Sequence, residues 1–183
     1  GIRLYGFFFL CLTSAIWLGS YGIAYLQIFE PEVFFKYGYV AVIFEAVVAY
    51  HFVVRFLDLK KEMPLVVCSY ILGAIFTIFH LGTNMIINEH FTYFWGPYPK
   101  AGVWHPTLFI FIIILVIRFL FILGIRYKFL RDSKDSETKK RTFYVLAGIG
   151  VFSFSAFDFF ANYGISLVPL GSFVAVGYTA LIT

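Results

Sequence analysis

The chain reads as an all-α protein, a polytopic membrane helical bundle with six spans visible. Three observations predict this. Of 183 residues, 61% are hydrophobic and 13% are charged. The apolar residues form continuous runs that approach or exceed the roughly 20 needed to cross about 30 Å of hydrocarbon. Lys and Arg concentrate in alternate connections, as the positive-inside rule requires of a polytopic helical protein. A soluble domain with a mean hydropathy of +0.88 would expose apolar patches and aggregate.

The spans follow in order. Span A covers about 4–27, B about 35–57 and C about 64–87, with Pro64 in the first turn of C, where a missing N–H costs little. Span D covers about 104–126, E about 142–163 and F about 167–183. Strict alternation is absent, so helices are preferred to a barrel. Residues 1–183 are read as one membrane-embedded domain without internal repeats, and as a segment of a longer protein, because the chain starts without Met and ends inside an apolar run. No cleavable signal peptide is visible, and span A would direct the chain to the membrane. Cys11 and Cys68 fall inside apolar runs and are expected to stay unpaired.

Charge sets the orientation. Eleven of the fourteen basic residues are Arg3, Arg55, Lys60, Lys61 and the seven of the 126–141 connection. The A–B and C–D connections hold only Lys36 and Lys100, and Arg118 lies within span D. Both visible ends are therefore expected in the cytoplasm. The net charge of +4 sits in short loops between spans, which argues against nucleic acid as a partner and for the bilayer. The 126–141 connection is read as a solvated linker.

Intramembrane ionisable groups are costly and call for a partner or a role. Glu45 is mid-span in B. Arg118 differs from it by roughly 6 Å in depth, which an arginine side chain can cover, so a Glu45–Arg118 pair is feasible. Span C aligns Thr77, His80, Asn84 and Asn88 on one helical stripe, and span E aligns Ser155, Asp158 and Asn162 on another. Two polar stripes at one depth predict a cavity open to the outside. His80, Asn84, Asp158, Asn162 and Glu45 are its expected ligand-binding residues, with Trp95 and Trp104 above them. The stretch FTYFWGPYPKAGVWHP (91–106) is read as an ordered aromatic cover on the outer leaflet. His51 is assigned to packing. His90, His105 and Glu89 match no zinc spacing, so no metal is expected.

YHFVVRF in span B, GPYPKAGVWHP before D and DFFANYGISLVPLGS across the E–F turn occur in that order. With the charged D–E connection they resemble the seven-transmembrane amino-terminal sensor region of bacterial histidine kinases, also found on diguanylate and adenylate cyclases. The resemblance covers nearly the whole chain, beginning at the second helix of that region. It implies one further span before Gly1, a bacterial inner (cytoplasmic) membrane, and a cytoplasmic output domain in cis, working as a homodimer. The expected function is a sensory domain that binds a small or lipophilic ligand from outside and relays a helix movement inward. The alternative is a small-molecule or ion transporter lined by the stripes of C and E. No catalytic motif or cofactor signature occurs in the segment, and any enzymatic activity would belong to the kinase or cyclase that the resemblance implies.

Overall fold

The apolar runs fold into five long helices in a computed structural model that describes residues 2–130 and 135–171. They are α1 (Ile2–Leu26), α2 (Pro31–Phe56), α3 (Met63–Gly82), α4 (His105–Leu130) and α5 (Ser136–Ser153), the last continuing as a 3₁₀ helix over Phe154–Tyr163. Among the described residues, five stretches are long and apolar enough to cross a bilayer: α1, α2, Lys60–Gly82, α4 and Ser136–Tyr163. The chain is thus a helical membrane protein with five such spans among its described residues. Most of the sixth expected span lies outside the described residues.

Helix α2 is the axis of the bundle. Of its apolar window 78% is buried, against 22–28% for the other four spans. Many of its inward residues are small or β-branched, including Ala41, Val42, Ala46, Val47, Ala49 and Val53. Short side chains let neighbouring backbones approach, which drives helix association where lipid is as apolar as leucine. At Gly38 the approach is extreme: a Cβ would lie 2.8 Å from that of Ser20 on α1.

The chain is not wholly helical. Span C ends at Gly82, five residues before its expected limit, because Thr83 turns extended (φ −140°, ψ 171°). The Thr83 hydroxyl donates to the Phe79 carbonyl and accepts from the Met85 N–H, which finishes the helix. The next residues form an antiparallel hairpin, β1 (Ile87–Tyr93) and β2 (Gly96–Ala101), with Phe91 opposite Tyr98. Pro97 and Pro99 lie in β2, and a strand with proline belongs at a sheet edge.

The helix after the basic connection also departs from expectation. Span E starts at Ser136 instead of 142, because Asp135 caps it by accepting the Thr138 N–H at 3.0 Å. Polar residues expected in a linker are therefore the first turns of α5. Hydrogen bonding to Thr138 holds the Asp135 carboxyl below its usual range.

Candidate functional site

The site is built on Phe154–Tyr163, a 3₁₀ helix of ten residues. Such runs rarely exceed three or four residues and often mark a hinge. The sequence explains it. FSAFDFFANY repeats every third position, and at 3.0 residues per turn such positions eclipse. Phe154, Phe157, Phe160 and Tyr163 form an exposed aromatic stripe, with ring centroids 6.0 and 5.9 Å apart along the phenylalanines. Ser155, Asp158 and Ala161 form the opposite, buried stripe.

That segment walls a cavity of about 50 Å³ between α1, α2 and α4. A single water needs about 10–15 Å³, so a few waters or a small ligand would fit. Trp17, Phe119, Phe152 and Phe159 supply the aromatic wall, Ala46 and Ala49 the small one, and Glu45 the carboxyl. Glu45 is only 5% exposed. Its Oε1 accepts from the Ser14 hydroxyl at 2.5 Å, while Oε2 has no hydrogen-bond partner among the described residues. Thr13, on the same helix turn as Ser14, donates to the Phe9 and Leu10 carbonyls instead.

Arg118 does not reach Glu45. It bonds Glu62 through Nη2 at 2.5 Å and Nε at 3.2 Å, and Tyr50 donates to the same carboxylate at 2.6 Å. Glu62 lies at the mouth of α3, where the arginine meets a carboxylate without entering the core. The feasible Glu45–Arg118 pair is therefore replaced by Glu62–Arg118.

Asp158 and Asn162 are buried together and line a smaller void with Tyr39, Tyr21 and Tyr98. Trp17, Val42, Ser155 and Phe159 line both voids. Each Asp158 oxygen accepts a 2.7 Å hydrogen bond, Oδ1 from the Leu170 N–H and Oδ2 from the Gly171 N–H. Asn162 donates through Nδ2 to the Pro99 carbonyl at 2.8 Å. One acid thus ties the 3₁₀ segment to the chain that follows, and one amide ties it to the hairpin.

The hairpin covers this end of the bundle. Alone, a two-stranded ribbon is marginal. Here Tyr98 packs edge-on to Tyr21 (5.7 Å) and Trp95 (5.4 Å), and Tyr93 stacks on Trp95 at 4.8 Å. Tyr93 also donates to the Ala161 carbonyl at 2.7 Å. Burial pushes the Tyr98 phenol well above its ordinary range, so it remains a neutral phenol. Trp95 is half-buried in this cluster, and its Nε1 lacks an acceptor among the described residues.

The other expected residues lie elsewhere. His80 is buried, and its Nε2–H donates to the Lys36 carbonyl at 2.8 Å, tying α3 to α2. Asn84 and Asn88 are exposed beyond the end of α3, so the helical stripe expected in span C breaks after His80. Trp104 is 48% exposed and packs on Phe79 at 5.9 Å. His51 bonds Tyr70 at 3.1 Å, a packing role. His90 pairs with Glu32 and Glu89 with Lys100.

His105 is a central residue that the sequence reading placed elsewhere. It is fully buried, with Nε2 hydrogen-bonded to the Tyr39 hydroxyl and Nδ1 to the Tyr163 hydroxyl, the latter at 2.8 Å. A neutral imidazole donates through one nitrogen and accepts through the other. The Tyr163–His105–Tyr39 chain therefore runs from the exposed aromatic stripe to the void holding Asp158. Its signal was the histidine directly before Pro106 at the start of an apolar run.

Comparison with known proteins finds no matching family model, no matching curated protein and no matching solved structure.

Proposed function

We propose that this chain is a membrane sensory input domain, like the histidine-kinase sensor region its sequence motifs resemble. A small or lipophilic ligand enters the Glu45 cavity from the hairpin side, which the charge distribution assigns to the exterior. Occupancy favours one of two packings of the 3₁₀ segment, and Asp158 passes that displacement to Leu170 and Gly171. The chain beyond carries it to a cytoplasmic output domain, such as a histidine kinase, in a homodimer of the bacterial inner membrane.

One observation supports this reading most: the cavity wall and the grip on residues 170–171 are the same ten-residue 3₁₀ segment. A ligand shifts an equilibrium only by binding one state better, and a wall that belongs to a hinge offers that difference. The transporter reading has less support, because Asn84 and Asn88 lie outside α3 and do not extend a polar path along it.

The test uses the full-length protein in its own membrane. Ala156 lines the cavity, and Ala156→Leu would fill it from the 3₁₀ side. Output activity is expected to lock at one level, insensitive to small molecules added outside, with membrane abundance unchanged. The lipid-facing control Ile114→Leu should behave as wild type. An Ala156→Leu protein regulated normally would refute the reading.

A further inference from the structure

We infer that the Glu45 cavity selects a small lipophilic amine, an inference that rests on reading this cavity as the input site. Three observations carry it. First, Glu45 is buried, receives one hydrogen bond from Ser14 and keeps Oε2 unpartnered among the described residues. A buried carboxyl oxygen without a partner is costly, and a ligand that donates to it removes that cost. Second, among the described residues no cation satisfies it from within. Arg118, the basic residue within span D, is committed to Glu62, and among the described residues no ion pair involves Glu45. Third, Trp17, Phe119, Phe152 and Phe159 line the same cavity as Glu45. Aromatic faces attract an ammonium group, and more strongly when water is excluded.

The alternatives fit less well. A carboxylic acid ligand could not take the Glu45 proton and would bring no cation to the rings. A hydrocarbon would leave Oε2 unmet. An alcohol would donate one hydrogen bond but gain little from the rings. An ammonium satisfies both the carboxylate and the aromatic wall, and charge-assisted bonds are roughly twice as strong as neutral ones.

Binding needs no co-reactant. The free-base amine enters from lipid and its nitrogen lone pair takes the proton of the Glu45 carboxyl. The O–H bond breaks, an N–H bond forms, and ammonium and carboxylate remain paired. The ammonium form that dominates in water leaves its proton there on entering lipid, so the overall process releases one proton. The volume of about 50 Å³ favours an amine of about four heavy atoms.

The experiment takes the full-length protein in lipid nanodiscs at fixed pH. Propylamine, propanol and propionate serve as probes of matched size. Infrared difference spectra read the carboxylic C=O stretch, and thermal unfolding reads binding. Propylamine is expected to bleach the acid band and raise Tm saturably. Propanol and propionate should do neither. Glu45→Gln should lose both effects. If Glu45→Gln does not fold, Ala49→Leu keeps the carboxyl and reduces the space, and should weaken propylamine at least tenfold. Equal effects of propanol, a response that survives Glu45→Gln, propylamine affinity unchanged in Ala49→Leu, or no bleaching by propylamine would each overturn the inference. None of these would touch the sensory reading, because the Ala156→Leu output test uses no amine.

Discussion

The Gly171 N–H donates to Asp158 Oδ2 at 2.7 Å, across a contact so close that a Cβ on Gly171 would lie 2.3 Å from that oxygen. Any Cβ there must displace the carboxyl oxygen. Asp158→Ala would leave the part-buried Leu170 N–H and the buried Gly171 N–H without acceptors, costing about 1–3 kcal/mol. Gly171→Ala should destabilise in the same direction by forcing the carboxyl aside. Unfolding of the reconstituted protein measures both, and losses under about 0.5 kcal/mol would contradict this linkage.

The Glu62–Arg118 contact predicts where electrostatic coupling lies. Arg118 is 43% exposed and Glu62 17% on their side chains, so solvent screening holds the pair to about 0.5–1 kcal/mol. A double-mutant cycle of Glu62→Gln with Arg118→Leu should give that coupling. The cycle of Glu45→Gln with Arg118→Leu should be additive within about 0.3–0.5 kcal/mol. Coupling in the second cycle and not in the first would restore the pairing that depth alone made feasible.

The Tyr163–His105–Tyr39 chain predicts non-additive losses. His105→Phe leaves the buried Tyr39 hydroxyl without the imidazole and should cost about 1–3 kcal/mol. Tyr39→Phe should cost clearly less in the His105→Phe background than in wild type, because the group it removes has already lost that partner. Equal costs in both backgrounds would show that the hydroxyl gains nothing from the ring.

Charge placement predicts sidedness. In a protein with Cys11 and Cys68 replaced by serine, a cysteine at Phe94, which is 85% exposed at the hairpin turn, should react with an impermeant thiol reagent outside intact cells. A cysteine at Lys139, in the first turns of α5, should react only after lysis. The reverse pattern would invert the topology.

The helical membrane class was legible because continuous apolar runs have few soluble readings. The ends of the elements were not. Span C stopped early because Thr83 used its hydroxyl to close the helix, a local competition that hydropathy does not register. Span E began early because one aspartate capped a polar stretch. Asp158 and Asn162 were legible as buried polar groups at one depth, and Glu45 as an acid in a span. The partners of Asp158 and Asn162 were not, because backbone N–H and C=O groups from residues 99, 170 and 171 supply them. The period of three in 154–163 was present in the sequence, but a helical reading at 3.6 residues per turn passes over it. His105 was weighed only as a metal ligand, because its tyrosine partners lie 66 and 58 residues away.

The most direct test of the central claim is a distance. Spin labels at Val33, near the start of α2, and Ile165, just after the 3₁₀ segment, report how that segment sits against the bundle axis. Pulsed dipolar measurements on the cysteine-replaced full-length protein in nanodiscs should give two distance populations, with Ala156→Leu retaining one. A single population, unchanged by Ala156→Leu, would contradict a cavity wall that moves.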